Sequence, residues 1–291
     1  VNVAARLQQG AAPGEILAGE RTYAASGAVF VFADGREMEA KGKREPLRVF
    51  PVMKAREVRQ AARPRLVGRE DDLSMLSLLQ RRTLRAGRPQ LIPIVAPAGT
   101  GKTRLLEEFV DSLDPATVRT ATSRCLPYGQ TLTYWPLRGL MEDLLGGVDR
   151  QPVADAFEEA GHIPEDAARL TDLVLSALGI EGETVTDRES VFSAWRLLSE
   201  ALAQKGPLIV VFEDLHWAGE SLLDLVEQIM QPRTRAPLLL IAISRPELLD
   251  RRPAWGSGAR QNVTTLVLEP LGDEQTAELV AQLGPDMPEP I

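Results

Sequence analysis

The residues with the clearest chemistry lie in one run, Ala96-Pro97-Ala98-Gly99-Thr100-Gly101-Lys102-Thr103, between an apolar stretch and a helical pattern. Gly99 and Gly101 allow a sharp backbone turn that brings N–H groups up to phosphate oxygens. A helix opening near Lys102 adds the positive end of its dipole to the same place. Lys102 supplies a point charge for the β- and γ-phosphates, and the Thr103 hydroxyl is placed to ligate Mg²⁺. The expected nucleotide contacts are Ala98, Gly99, Thr100, Gly101, Lys102, Thr103 and Arg104. The first position is Ala96, where the stricter pattern has glycine. Its methyl group is tolerable there if φ stays negative.

A second candidate lies downstream. Residues 207–212 read as an apolar strand that ends in Glu213-Asp214. If that strand runs next to the phosphate-loop strand, both carboxylates face the ligand crevice at the strands' C-terminal ends. One would hold Mg²⁺ and the other would polarise the attacking water. Position favours Glu213 for the metal and Asp214 for the base, but the two roles can be exchanged. A third candidate is Arg245 in Ser244-Arg245-Pro246, at the end of another apolar run. An arginine there can meet the γ-phosphate and report its presence. His216 could reach the phosphate region or simply pack. Trp217 reads as core, and Cys125 as an inert buried thiol.

The elements that must position these residues alternate. Helices are expected at 69–85, 102–113, 136–146, 152–160, 165–178, 188–204, 219–231 and 273–283. Strands are expected at 90–96, 117–123, 207–212, 237–243 and 264–268. Near-continuous apolar strands between helices imply an α/β fold, a parallel sheet with helices on both faces. Before residue 54 the pattern is mixed. It comprises a helix over 1–9, a strand at 15–18, a brief helix near 19–25, and strands at 28–33, 36–40 and 46–53. Asp34-Gly35 reads as a hairpin turn. Residues 54–65 are basic, lack a strand pattern and read as a linker.

Length and charge bound the rest. At 291 residues the chain is long for one domain. Its 44% hydrophobic and 25% charged residues can bury a real core, and no apolar run approaches the roughly 18 residues of a membrane-spanning helix. The single cysteine excludes a disulfide framework and a cysteine-based zinc site. No charged-then-apolar leader precedes the first helix, which points to a cytoplasmic protein. The start at Val1 suggests a processed chain or a fragment. Residues 1–53 carry a net +1, residues 54–90 a net +6 and residues 91–291 a net −15. An acidic body argues against sequence-independent nucleic-acid binding.

Residues 66–291 resemble a signal-transduction ATPase of the AAA/STAND kind. The resemblance is carried by Leu66-Val67-Gly68-Arg69-Glu70, the phosphate loop, Arg124-Cys125-Leu126-Pro127-Tyr128-Gly129 and Thr133-Tyr134-Trp135-Pro136-Leu137. It continues in Phe212-Glu213-Asp214-Leu215-His216-Trp217-Ala218 and Ser244-Arg245-Pro246-Glu247. It implies a P-loop fold with ATP and Mg²⁺ as cofactors, Gly68 and Arg69 near the adenine, and Arg245 as a sensor. The family often has Asp where Gly219 stands. It also implies a winged-helix or helical-repeat region downstream.

Residues 1–53 resemble the last third of a class III nucleotide cyclase catalytic domain, an α+β ferredoxin-like fold. The matching residues are Val1-Asn2-Val3-Ala4-Ala5-Arg6-Leu7-Gln8, Pro13-Gly14-Glu15-Ile16-Leu17, and Lys41-Gly42-Lys43 with Glu45-Pro46-Leu47. Asn2 and Arg6, four apart, share a helix face. The resemblance gives Asn2 and Arg6 transition-state roles and one of Lys41 and Lys43 a triphosphate contact. It also implies a homodimer through the cyclase domain. The two metal-binding aspartates of such a domain would lie upstream of these 291 residues. The expectation is a slow ATPase or ATP switch in a signalling protein. The rivals are a parent that is chiefly a cyclase, or an ATP-dependent transcriptional regulator.

Overall fold

The structure, a computed structural model, describes residues 3–12, 14–27, 29–38, 46–56, 65–127, 133–180, 187–231, 236–255 and 262–283. It divides into two compact units, Val1–Arg63 and Pro64–Ile291.

The first unit holds α1 (Val3–Gly10), β1 (Leu17–Gly19), α2 (Glu20–Ser26), β2 (Phe30–Phe32), β3 (Arg36–Met38) and β4 (Leu47–Ala55). Asp34-Gly35 does not make the expected hairpin. β2 and β3 each pair antiparallel with β4, β2 against its last residues and β3 against its first. Val49 is paired with both Gly19 and Arg36, so β1 lies on the edge of β4 opposite β3. The nine-residue β4 is long enough to take two short partners in succession, and Asp34-Gly35 carries the chain from one to the other. β4 also runs through Lys54 and Ala55, which pair with Val31 and Phe30, so the strand continues past the expected start of the linker. Asn2, Lys41 and Lys43 lie outside the described residues, as does 57–64 of the linker.

The second unit begins with α3 (Glu70–Ala86), β5 (Gln90–Val95), α4 (Lys102–Asp111) and β6 (Arg119–Arg124). The helices α5 (Trp135–Leu145), α6 (Arg150–Glu159), α7 (Pro164–Ala177) and α8 (Arg188–Gln204) follow. Next come β7 (Leu208–Glu213), a 3₁₀ turn (Leu215–Trp217), α9 (Glu220–Ile229), β8 (Leu238–Ser244), α10 (Glu247–Arg251), β9 (Leu266–Val267) and α11 (Asp273–Leu283). The five strands form a sheet in the order β6-β7-β8-β5-β9, with every pairing parallel.

Strand alternation divides the core between the two faces. Ile92, Ile94, Ile209, Val211, Leu239, Ile241 and Ile243 point to one side, where Leu76 and Leu79 of α3 and Leu105, Leu106 and Phe109 of α4 cover them. Leu208, Val210, Phe212, Leu238, Leu240 and Ala242 point to the other, under α5 to α9. Both faces are covered along β5, β7 and β8, so these strands read as near-continuous apolar runs, whereas edge strand β6 is polar (RTATSR). Pro93 interrupts β5 without breaking it. Leu91 N–H points to the β9 side, where it donates to Asn262 O, and Pro93 shares that parity. Its missing N–H therefore falls on the side covered only by short β9.

Candidate nucleotide site

The phosphate loop turns between β5 and α4 as expected. Gly99 and Gly101 have φ of +80° and +87°, conformations that L side chains rarely adopt. Lys102 opens α4, and its Nζ donates to the carbonyl oxygens of Ala96 and Pro97 (2.7 and 2.6 Å). Thr100 Oγ1 donates to Pro97 O (2.9 Å), tightening the same turn. Thr103, one residue into the helix, is exposed, so its hydroxyl is open to a cation.

The carboxylates sit at the tip of β7, but β7 is not next to β5 as expected. β8 lies between them and brings Arg245 into the gap. Parallel neighbours are joined by crossovers, so strand order does not follow chain order. The three tips still act on one another electrically. Desolvation lowers the Lys102 pKa first, then the Arg245 charge lowers it further, while Asp214 and Glu247 raise it.

Asp214 has φ of +54°, the left-handed region, and is the one non-glycine residue with positive φ among those described. Such strain persists only where the surroundings impose it, and functional sites are where it clusters. Here it turns the chain out of β7 into the 3₁₀ turn, whose Trp217 N–H donates to Asp214 O (2.9 Å). Asp214 keeps its carboxylate partly open, whereas the Glu213 carboxylate is mostly covered. The cover includes Arg124, a residue that motif reading left without a chemical role. Arg124 Nε donates to Glu213 Oε2 (2.8 Å), Nη2 bonds the same oxygen, and Nε is 3.7 Å from Asp214 Oδ2. The hydrogen bond to Glu213 is the main reason that the Arg124 pKa is raised.

A cavity of about 570 Å³ opens beside the loop. It is lined by Leu66, Arg69, the 97–101 turn, Arg104, Leu271 and Leu279 among others. Buried Arg69 ties its walls together, donating to Thr100 O (3.0 Å) and Glu269 O (2.6 Å). Gly68 has φ of +63°, and a Cβ there would come within 2.5 Å of the Gln275 side chain. Arg104 pairs with Glu108 at 2.5 Å. Leu271 and Leu279, from beyond β9, carry no motif that sequence reading could have found. Cys125 is buried, and burial pushes its thiol up to about 12, the inert state expected.

A nucleotide-bound Mg²⁺ takes most of its oxygens from phosphate and water and only one or two from protein. Open Thr103 with the Glu213–Asp214 pair fits that donor set. Among the described residues no group of three His, Cys, Asp or Glu could hold a metal by itself.

Comparison with known proteins bears on the family of the second unit. The family model described as an AAA ATPase domain matches residues 65–241. A protein of Rhizobium meliloti (strain 1021), described as uncharacterised, is 29% identical over 300 residues, covering 98% of this chain and 29% of its own length. The chain thus spans under a third of that relative. Among solved structures, Cdc6p from Pyrobaculum aerophilum aligns with a TM-score of 0.44 and 16% identity, over 77% of this chain and 51% of its own. Drosophila ORC bound to DNA aligns with a TM-score of 0.46 and 13% identity, over 78% of this chain and 48% of its own.

Proposed function

We propose that this chain, which belongs to the AAA ATPase domain family, is an ATP-dependent regulatory module. It binds Mg-ATP at the phosphate loop and hydrolyses it slowly or uses it as a switch. The observation that carries the reading is the convergence at one end of the sheet of the glycine turn, Lys102, the Glu213–Asp214 pair and Arg245. Backbone N–H groups of 98–103 cradle the phosphates, with Lys102 on the β- and γ-oxygens and Arg104 at the edge. Thr103 and Glu213 serve Mg²⁺, Asp214 orients the attacking water, and Arg245 meets the γ-phosphate. Arg69 lines the cavity that suits the adenine, and Gly68 turns the chain between lining residues Val67 and Arg69. Mg²⁺, when bound, neutralises charge that builds up between the phosphates.

Phosphate release from Mg-ATP by the 291-residue chain tests this. Slow release that Asp214→Asn abolishes is the expected result. A chain that neither binds labelled ATP nor releases phosphate would overturn it.

The N-terminal unit favours a second part of the reading. We read residues 1–53 as a class III cyclase remnant, from the resemblance carried by Arg6 on α1 and the motifs around it, with 54–65 as linker and 66–291 as the ATPase domain. One Arg6 guanidinium nitrogen is buried without a hydrogen-bond partner among the described residues, which supports a role in binding an anion. The parent is then a cytoplasmic, dimeric signalling protein in which ATP regulates a cyclase. Two metal-ligand aspartates encoded upstream would support that reading. A helix-turn-helix encoded beyond residue 291, without them, would favour a transcriptional regulator.

A further inference from the structure

His216 is the least explained polar side chain near the phosphate loop. It sits in the 3₁₀ turn that strained Asp214 sets up after β7, and it is 8% exposed. Both ring nitrogens are hidden from solvent and have no hydrogen-bond partner among the described residues. A buried imidazole normally uses both, one as donor and one as acceptor. The turn packs against β8. At the end of that strand the Ser244 hydroxyl is also fully buried, without a partner among the described residues. Among the described residues, three polar atoms therefore lack partners on two packed elements, both at the end of the sheet that carries the phosphate loop.

The charges that act on the His216 ring are those of the site: Asp214, Arg245, Glu247 and Lys102. Burial is the largest influence on the ring and disfavours its charged form. A neutral ring has one N–H to give and one lone pair to fill. Its ring centroid lies 5.0 Å from that of Trp217, tilted by 41°, a contact that fills neither ring nitrogen.

We propose that His216 is a positioning residue for the terminal phosphate. One ring nitrogen donates to a γ-phosphate oxygen while the other accepts the Ser244 hydroxyl hydrogen, so the site holds a triphosphate more tightly than a diphosphate. A side-chain rotation on nucleotide arrival supplies both partners and satisfies all three atoms together. The proposal rests on the reading of this site as an ATP site and adds how it distinguishes ATP from ADP.

Calorimetric titration of the 291-residue chain with Mg²⁺ and either AMP-PNP or ADP tests it. His216→Phe keeps the ring's bulk and removes its polar edge. The expected result is a loss of AMP-PNP affinity of roughly tenfold or more with ADP affinity within about twofold. Ser244→Ala should shift the ratio in the same direction by less, and His216→Gln, which keeps an N–H donor, should recover part of the loss. If His216→Phe fails to fold, the Gln and Ser244 variants decide. An unchanged AMP-PNP to ADP ratio in folded variants overturns the His216 role and leaves the ATP site standing. A parent chain that binds neither nucleotide overturns both.

Discussion

Arg124 and Glu213 stand directly opposite each other at the ends of the parallel strands β6 and β7, and the arginine binds the glutamate through two of its nitrogens. The carboxylate assigned to Mg²⁺ thus already has a cationic partner. The two cations compete for one carboxylate. Arg124→Ala should lower the Mg²⁺ concentration for half-maximal nucleotide binding by about three- to tenfold, read with a fluorescent ATP analogue. Stability should change by less than about 1 kcal/mol, because the arginine is largely exposed. An unchanged Mg²⁺ dependence would show that the pair does not restrain the metal site.

Lys102→Ala should weaken ATP binding by roughly ten- to a hundredfold, the range for a lost hydrogen bond to a charged group. Labelled ATP binding is the measurement. The Lys102 ammonium also bonds Ala96 O and Pro97 O, so a melting curve should accompany it to separate loop damage from charge loss. Equal affinity in variant and parent would contradict the assignment.

The same lysine gives a pH dependence with a definite sign. Desolvation and then Arg245 lower its pKa below the usual 10.5. Phosphate binding needs the charged form, so ATP affinity should fall as pH rises through the lowered value, earlier than an ordinary lysine would allow. Stability runs the opposite way. Between the folded and unfolded pKa values the unfolded chain binds more protons, so this group's contribution to stability rises with pH there. Arg245→Ala removes a like charge and should move the alkaline limb of ATP binding to higher pH. A limb that stays in place would remove Arg245 from the electrostatics of the loop.

Much of this arrangement is legible in the amino-acid order, and what is not has identifiable causes. The α/β alternation can be read because strands such as β7 and β8 are buried on both faces and place polar residues only at their C-terminal ends, Glu213 and Ser244. The phosphate loop can be read because glycines at 99 and 101 are demanded by positive φ. The pairing of β2 and β3 with β4 could not be read, since Asp34-Gly35 signals a change of direction but not which strand is met afterwards. The insertion of β8 between β5 and β7 could not be read either, because crossover helices hide strand order. The Arg124–Glu213 pair joins residues 89 apart and exists only through strand register. The short α10 was missed because a five-residue helix starting after Pro246 shows no period.

Gly68 supplies a steric test of the cavity. Gly68→Ala would force a left-handed φ on alanine and push its methyl group into Gln275. The variant should lose about 1–2 kcal/mol of stability. Its ATP affinity should fall in step, because Gln275 belongs to the same helix, α11, as cavity-lining Thr276 and Leu279. Thermal unfolding and nucleotide titration on one preparation measure both. Unchanged affinity at lowered stability would detach Gly68 from the site.

The two units should differ in local stability. Hydrophobic burial scales with the core a unit can close, and a small unit closes little. Among the described residues the first unit buries Ala18, Val49 and Phe50, while Ile16 and Met53 remain 67% and 65% exposed. A groove of about 850 Å³ lined by Leu7, Leu17, Phe30, Phe32 and Val52 opens on it. The second unit packs two clusters, one on each face of its sheet. Amides of β4, the best-paired strand of the first unit, should therefore exchange at least about tenfold sooner than those of β5, β7 and β8. Exchange is measured on the whole chain, so that both units share one solvent and temperature. Equal protection of β4 and β8 would mean that the first unit's exposed apolar surface costs it nothing, and that burial does not set its opening free energy.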